Sequence, residues 1–111
     1  QGKLVRVISG EVFDVAVDIR INSKNFGKWF GIKLSSDNKK LLWIPPGFAH
    51  GFLTLTDNAE FLYKTSNFYN KDSERSIIWS DPDININWGI EFKPIVSSKD
   101  KLAPFLKDAD L

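Results

Sequence analysis

The sequence predicts an all-β fold, an antiparallel sandwich or barrel with a short helix near its C-terminus. Short apolar segments with period-two alternation follow one another at close intervals, and each ends in Gly, Pro, Asn, Asp or Ser. Helical segments that could connect parallel strands do not occur between them. Because the 111 residues contain no repeat and no linker-like stretch, residues 1–111 are expected to form a single domain.

The first two predicted strands carry the clearest pattern. Residues 4–8 (LVRVI) form a short apolar strand that ends at Ser9-Gly10. Residues 11–21 alternate throughout, and one face is wholly apolar: Phe13, Val15, Val17, Ile19 and Ile21. The charged residues fall on or near the other face: Glu11, Asp14, Asp18 and Arg20. This second strand is therefore predicted to be two-faced, apolar on one side and charged on the other.

Further strands are predicted at residues 28–34, 41–44, 48–55 and 60–66. Pro46-Gly47 fits the central positions of a type II turn, which requires a positive φ at its second central residue. Residues 56–59 (TDNA) are predicted to join the last two strands as a hairpin. Residues 76–79 are predicted to form a short strand, and residues 81–88 (DPDININW) a loop with alternating Ile.

The C-terminal residues predict a helix. Ser97 or Ser98 can serve as its N-cap, and apolar residues recur after it at helical spacing: Leu102, Phe105, Leu106 and Ala109. Because Pro104 lies in the first turns, the helix is expected to be short or irregular.

Composition excludes several classes of function. Hydrophobic residues make up 42% of the chain, with nine Phe and four Trp, which is enough to fill a core. The net charge is +1 and no long basic run occurs, so nucleic acid is not an expected partner. An apolar run long enough to cross a membrane and a signal-peptide pattern are both absent, so we expect a cytoplasmic protein without membrane contact.

His50, the single histidine of the chain, is the first candidate functional residue. It follows the Pro46-Gly47 turn, and its small neighbours Ala49 and Gly51 leave room for another molecule to approach the ring. A hydrogen-bonded interior histidine would produce the same pattern. With one His and no Cys, a metal site would rest on carboxylates alone, so no metal is predicted.

Tyr63 is the second candidate, because it alternates in phase with Phe61 and would share a barrel interior with it. A phenol there can give a proton to a carbanion, although a barrel-wall aromatic with a satisfied hydroxyl would look alike. Lys3 opens the first strand and Asp100 begins the predicted helix, where a carboxylate has an adequate structural explanation.

The loop that follows the Tyr63 strand carries a third group of candidates. Tyr69, Glu74 and Arg75 could line the mouth of a barrel, or they could simply belong to a surface loop.

Six segments together carry a resemblance to a known family: QGKLVRVISGEVFDVAVDIR, FGKWFGIKLS, LWIPPGFAHGF, EFLYKT, DPDININW and SSKD. In this order and spacing they resemble the dTDP-4-dehydrorhamnose 3,5-epimerases, which are metal-independent, cofactor-free enzymes with a cupin-like jelly roll. The resemblance implies epimerisation at C3 and C5 of a nucleotide-linked 4-keto-6-deoxyhexose, on the route to dTDP-rhamnose. It also implies a homodimer in the full-length enzyme.

The resemblance implies a role for each matching residue. Tyr63 matches the proton donor, Lys3 the lysine that stabilises enolate charge, and Asp100 the aspartate that orients the catalytic histidine. The residues that match substrate contacts are His50, Glu74 and Lys99, together with Tyr69, which would stack on the thymine.

One departure from the family pattern concerns the general base. The family carries this histidine in an HYQ-type motif shortly before the lysine of QGKLVR, a position that would precede Gln1. The N-terminal arginines that grip the diphosphate would precede Gln1 as well. The chain is therefore expected to lack the N-terminal segment of the domain and to correspond to its C-terminal two-thirds. We expect no epimerase activity from this polypeptide alone, since losing a general base typically costs about 10²–10⁴-fold in rate.

Three alternatives stay open on the sequence. The first is a related sugar-nucleotide enzyme that epimerises one carbon only or isomerises the ketone. The second is a non-catalytic sugar-binding cupin, in which Tyr63 would be dispensable. The third is a metal-dependent cupin, which elemental analysis would reveal.

Overall fold

The computed structural model describes residues 2–65, 77–89, 96, 100 and 102–108. The candidates Tyr69, Glu74, Arg75 and Lys99 lie outside these residues, as do the possible caps Ser97 and Ser98 and the predicted helix position Ala109. Six strands occur in the described part: β1 (Lys3–Ser9), β2 (Glu11–Asp18), β3 (Trp29–Ser35), β4 (Leu42–Ile44), β5 (Phe48–Thr54) and β6 (Glu60–Thr65). Each coincides with a predicted strand, and its ends agree with the prediction or differ by at most three residues.

The strands form two antiparallel three-stranded sheets. Sheet I has the order β4-β1-β6, and sheet II has the order β3-β2-β5. The predicted hairpin at residues 56–59 is wrong, because β5 pairs with β2 while β6 pairs with β1. Residues 56–59 do lie between β5 and β6, as predicted, but each of these two strands pairs with a strand that is distant in the sequence. The chain crosses from sheet II to sheet I at this turn, as it does between other consecutive strands of a jelly roll.

The core lies between the two sheets. Val5 in sheet I and Val12 in sheet II are both fully buried, and Leu34 and Ile44 close the layer from β3 and β4. Burying such side chains stabilises each by about 1.5–3 kcal/mol relative to an exposed position. Phe48 and Phe61 pack against this cluster from the strands that carry the candidate residues.

Strand β2 is buried on both faces, contrary to the two-faced prediction. Its Val15 and Val17 face away from sheet I and pack against Ile84 and Leu106, which cover the outer surface of sheet II. The opposite face holds charged residues that the pattern assigned to a polar surface, yet Asp14 and Asp18 are 0% and 3% exposed. These carboxylates are tolerated because each has a partner in the fold.

Within the described C-terminal residues, Asp100 is helical and Leu106–Asp108 forms a 3-10 helix, while residues 103–105 are not helical, an interruption that agrees with the irregularity predicted from Pro104. Pro104 lacks the N–H that an α-helix would use, and its carbonyl accepts a hydrogen bond from the Ile78 N–H instead (2.8 Å). Leu106 is buried, whereas Leu102 is 85% exposed, so the predicted apolar face is only partly used. Residues 77–79 are also not a strand. Among the described residues, no helix is long and apolar enough to span a membrane.

Candidate active site

His50 and Tyr63 project into the space between the sheets from two strands that lie at sheet edges. In β5, His50 pairs with Ala16 of β2, and the Ala16 face of β2 belongs to the core. In β6, Tyr63 pairs with Val5 of β1, and Val5 is fully buried on the inner side of sheet I. Because directly paired residues share a face, both candidates face the interior. The expectation that Tyr63 shares the interior face with Phe61 is met.

His50 is hydrogen-bonded to Asp14. The Nε2 atom lies 2.9 Å from both oxygens of Asp14, and the hydrogen bond is directed to Oδ2. The Asp14 side chain is fully buried and the His50 side chain is only 11% exposed. Since an ionised carboxylate only accepts hydrogen bonds, Nε2 must donate, which leaves Nδ1 as the acceptor of a neutral ring.

The second oxygen of Asp14 has no hydrogen-bond partner of its own among the described residues. Oδ1 is buried, and the Nε2 proton that lies within reach of it is directed at Oδ2. Leaving a buried acceptor unsatisfied costs about 1–3 kcal/mol, so the fold retains a polar atom at a stability cost. Such atoms are typical of sites that bind something.

A row of aromatic rings connects His50 with Tyr63. The ring of Phe61 is stacked with that of His50 at 5.9 Å between centroids and with that of Phe52 at 4.8 Å. The Tyr63 ring follows at 6.4 Å from Phe61. Tyr63 is 56% exposed and Phe52 is 50% exposed, although both lie on inner faces. The row therefore runs from the buried His50–Asp14 pair towards solvent.

Lys3 lies at the solvent end of this row. Its Nζ atom is 5.9 Å from the centroid of the Tyr63 ring, within the range of a cation–π contact. The register of β1 explains the position, because Lys3 pairs with Thr65 of β6 and with Ile44 of β4 and so points to the same side as Tyr63. The sequence-predicted residues Lys3, His50 and Tyr63 are thus brought to one side of the sandwich interior.

The turn before His50 is held by a charged cluster at the end of β2. Arg20 donates to both oxygens of Asp18 (3.0 and 2.8 Å), and the Ser23 hydroxyl donates to Oδ2 (2.6 Å). These hydrogen bonds, that of Arg20 first, hold the pKa of Asp18 well below its usual range. The Arg20 guanidinium lies 5.1 Å from the centroid of Phe48, the first residue of β5.

Asp100 precedes the C-terminal segment that leads to the 3-10 helix. Its carbonyl accepts a hydrogen bond from the Ala103 N–H (3.4 Å), so it continues into the segment that covers the outer surface of sheet II. Asp100 is exposed, and its chain neighbours Lys99 and Lys101 lie outside the described residues.

Sequence reasoning missed Asp14 as a site residue. It was assigned to the charged face of β2, because the alternation of residue types shows which side chains are polar but does not show which residues they contact. Asp14 and Asp18 lie four residues apart on the inner face, where their neighbours Val12 and Ala16 are apolar. A carboxylate on a strand face whose other members are small and apolar is the signal that could have identified it.

A two-sheet jelly roll of this kind is a cupin-like barrel, and its interior carries a histidine–carboxylate pair, a phenol and an ammonium group on one side, the kind of position at which ligand pockets commonly lie in β-barrels. Comparison with known proteins then gives the family. The dTDP-4-dehydrorhamnose 3,5-epimerase family matches residues 1–108, and the chain belongs to it.

Two similar relatives and one solved structure illustrate the relationship. A dTDP-4-dehydrorhamnose 3,5-epimerase of Shigella flexneri is 60% identical over 99% of the chain, and one of Pseudomonas aeruginosa is 53% identical over 99%. The crystal structure of the Legionella pneumophila dTDP-6-deoxy-D-glucose-3,5-epimerase in complex with dTDP-4-keto-L-rhamnose superimposes with a TM-score of 0.95 at 50% identity. It matches 98% of this chain and confirms the cupin-like fold.

The chain spans only part of the length of these proteins. It covers 60% of the Shigella relative, 61% of the Pseudomonas relative and 58% of the Legionella structure. A 3'-monoepimerase of Streptomyces bikiniensis in complex with dTDP-quinovose also shares the fold, with a TM-score of 0.90 at 33% identity over 96% of this chain and 54% of that one.

Proposed function

We propose that this chain forms part of an enzyme that epimerises C3 and C5 of dTDP-4-dehydro-6-deoxy-D-glucose to give dTDP-4-dehydro-L-rhamnose. The observation that carries the proposal is the convergence of Tyr63, Lys3 and the His50–Asp14 pair on one side of the interior, in a chain of this family. The same side is open to solvent at Tyr63 and Phe52, which gives a substrate access.

The reaction needs a base, an acid and a stabiliser of negative charge. Removing the proton at C3 or C5 leaves an enolate conjugated to the C4 ketone, and returning a proton from the opposite face inverts the centre. Tyr63 is the proposed acid, because its ring lies on the inner face while more than half of the residue is accessible. The Lys3 ammonium beside it is the proposed charge stabiliser.

The His50–Asp14 pair has a proposed binding role. Asp14 fixes the orientation of the ring through Nε2, so that Nδ1 of a neutral His50 can accept a hydrogen bond from a sugar hydroxyl. The unsatisfied Oδ1 of Asp14 can accept a second donor, either a hydroxyl or an ordered water. Asp100 is proposed to orient the catalytic histidine, with Tyr69, Glu74 and Lys99 as further substrate contacts.

The remaining properties are proposed on the same basis. The enzyme is cytoplasmic, has no metal and no cofactor, contacts neither nucleic acid nor membrane, and acts as a homodimer. Support for the dimer comes from the outer face of sheet I, which exposes large apolar side chains: Leu4 (38%), Trp43 (52%) and Leu62 (47%). Leu4 pairs with Trp43 and Leu62 pairs with Arg6 on this face. Sedimentation of the full-length enzyme measures this directly.

Solvent deuterium incorporation tests the reaction. The full-length enzyme with the dTDP-linked 4-keto sugar in D₂O should place deuterium at both C3 and C5. Tyr63→Phe should lower turnover by about 10²–10⁴-fold while leaving ligand affinity within a fewfold. Phe26→Leu, which alters a partly exposed aromatic residue in the connection between β2 and β3, serves as the control. Full turnover by Tyr63→Phe would refute the role of Tyr63 as the acid, whereas ligand binding without any deuterium incorporation by the parent protein would favour a sugar-binding cupin instead.

A single epimerisation is the second candidate, because the 3'-monoepimerase of Streptomyces bikiniensis has the same fold over 96% of this chain. The same experiment separates the two functions, since a monoepimerase labels C3 and leaves C5 unlabelled.

A further inference from the structure

The buried carboxylate of Asp81 has no role in the proposed chemistry, although it lies in the DPDININW run that contributes to the family resemblance. Asp81 is 2% exposed, and no cation is among its hydrogen-bond partners in the described part of the chain. Its partners are all backbone N–H groups. Oδ1 accepts from Asp83 (2.8 Å) and Ile84 (3.0 Å), and Oδ2 accepts from Leu106 (2.5 Å).

These hydrogen bonds join two segments that are distant in sequence. The bonds to Oδ1 close the turn of residues 81–84, whereas the bond to Oδ2 reaches 25 residues further along the chain. A backbone hydrogen bond, from the Ile78 N–H to the Pro104 carbonyl, also joins the two segments. Leu106 itself is buried against Val15 and Val17 on the outer face of β2. One carboxylate thus fastens the C-terminal segment to the central strand of sheet II.

We infer that Asp81 is a positioning residue for Asp100, an inference that rests on the proposed function. Asp100 precedes the fastened segment by two residues, and its carbonyl is bound by the N–H of Ala103, which is buried. Because hydrogen bonds hold the backbone at Ala103, Pro104 and Leu106, they also restrict the position of the backbone at Asp100. Hydrogen bonds to a charged acceptor are about twice as strong as neutral ones, which suits a carboxylate to this task better than an amide.

Asp81→Asn tests the inference in the full-length enzyme. The amide keeps one acceptor oxygen but places an NH₂ group opposite one of the three N–H donors, so at least one of the three hydrogen bonds to residue 81 is lost. We expect kcat to fall between about 10- and 100-fold, the effect of a misplacement near 1 Å at a catalytic group. KM is recorded separately, because Lys99, a proposed substrate contact, directly precedes Asp100 in the sequence. The control is Asp83→Asn, which makes the same charge change at an exposed neighbour and should leave kcat unchanged.

A cycle with Asp100→Ala separates positioning from stability. If Asp81 acts through Asp100, Asp81→Asn should lower kcat with Asp100 present and cause no further loss in the Asp100→Ala background. An equal loss in both backgrounds, or no loss in either, overturns the positioning role and leaves the proposed function intact. If Asp100→Ala alone keeps full activity, the proposed function of Asp100 fails, and the role of Asp81 fails with it.

Leu106→Val covers the case in which Asp81→Asn does not fold, because it removes only one methylene from the buried side chain. It keeps the N–H that Asp81 binds but weakens the apolar packing of the same segment. It should reproduce the background-dependent loss of kcat and speed hydrogen exchange at the Leu106 amide. Faster exchange with unchanged kcat would overturn the inference.

Discussion

Gly47 lies in the turn that leads into β5 and His50, and replacing it with Ala perturbs that turn in two separable ways. Its φ is +88°, a conformation that an L side chain rarely adopts. A Cβ atom there would also lie 2.6 Å from Cγ and 3.0 Å from Cδ of Arg20. Arg20 would have to leave the position in which its guanidinium covers Phe48.

The two effects have different magnitudes. The positive φ costs about 1–2 kcal/mol for a residue with a Cβ. Moving Arg20 off Phe48 costs about 0.5–1 kcal/mol more, the value of a cation–π contact at an exposed site, and the Arg20 side chain is 53% exposed. Gly47→Ala is therefore expected to destabilise the protein by about 1.5–3 kcal/mol.

Gly89→Ala is the matched control. Gly89 has a φ of +71°, and among the described residues no heavy atom lies within 4 Å of an added Cβ, so this variant is taken as the measure of the backbone effect. Urea unfolding followed by the fluorescence of the four Trp measures both variants. With a slope of about 1.5 kcal/mol per M, Gly47→Ala should unfold about 0.3–0.7 M below Gly89→Ala.

The Arg20→Ala background gives the result that would refute this account. Without the Arg20 side chain, Gly47→Ala should cost no more than Gly89→Ala, because nothing remains for the Cβ to displace. If Gly47→Ala costs the same extra amount in both backgrounds, Arg20 does not hold this turn. The NMR signal of the single histidine reports separately whether the change reaches His50.

Three further predictions concern charge, packing and binding. Asp18→Asn should be less stable than the parent at pH 7, and urea titrations should show the difference shrinking as pH falls below about 4. This follows because the folded-state pKa of Asp18 is lowered by Arg20, so its stabilisation is present above the ordinary value of 3.8 and is lost towards lower pH. Leu34→Ala, at a fully buried position, should cost about 3–5 kcal/mol in the same assay, while Leu102→Ala at an 85% exposed position should stay within about 0.5 kcal/mol. Asp14→Asn should raise KM of the full-length enzyme about tenfold or more with a smaller change in kcat, and a loss confined to kcat would contradict the binding role of the His50 pair.

The strands were predictable because alternation is a local property. The period-two patterns of residues 4–8 and 11–21 correspond to β1 and β2, and Gly47 has the positive φ that the Pro46-Gly47 turn requires. The choice of partner strand was not predictable in this way. Residues 56–59 have the composition of a hairpin turn, yet β5 and β6 belong to different sheets, since the pairing of β6 with β1 spans most of the chain.

The candidate site was predictable to the extent that single residues mark it. Lys3, His50 and Tyr63 are on one side of the interior, as the patterns and the resemblance together indicated. Asp14 was missed because its partner, His50, lies 36 residues away in the sequence. When the partner is unknown, a charged residue in an alternating strand is assigned to the solvent-exposed face. The hydrogen bond from the Leu106 N–H to the Asp81 carboxylate could not be predicted for a similar reason, because the two residues are 25 positions apart.

The assignment of the consecutive strands β5 and β6 to opposite sheets has a consequence for how such an enzyme can change. The proposed acid, Tyr63, is carried by sheet I, and His50 is carried by sheet II. Their separation is therefore set by the thickness of the apolar layer between Val5 and Val12 and by the way the two sheets slide over it. Interiors are packed densely enough that a methylene added there shifts the surrounding backbone. Substitutions in the apolar layer can therefore alter the distance between Tyr63 and His50 even though the substituted side chains do not contact the sugar. Such substitutions could change which sugar carbon is epimerised.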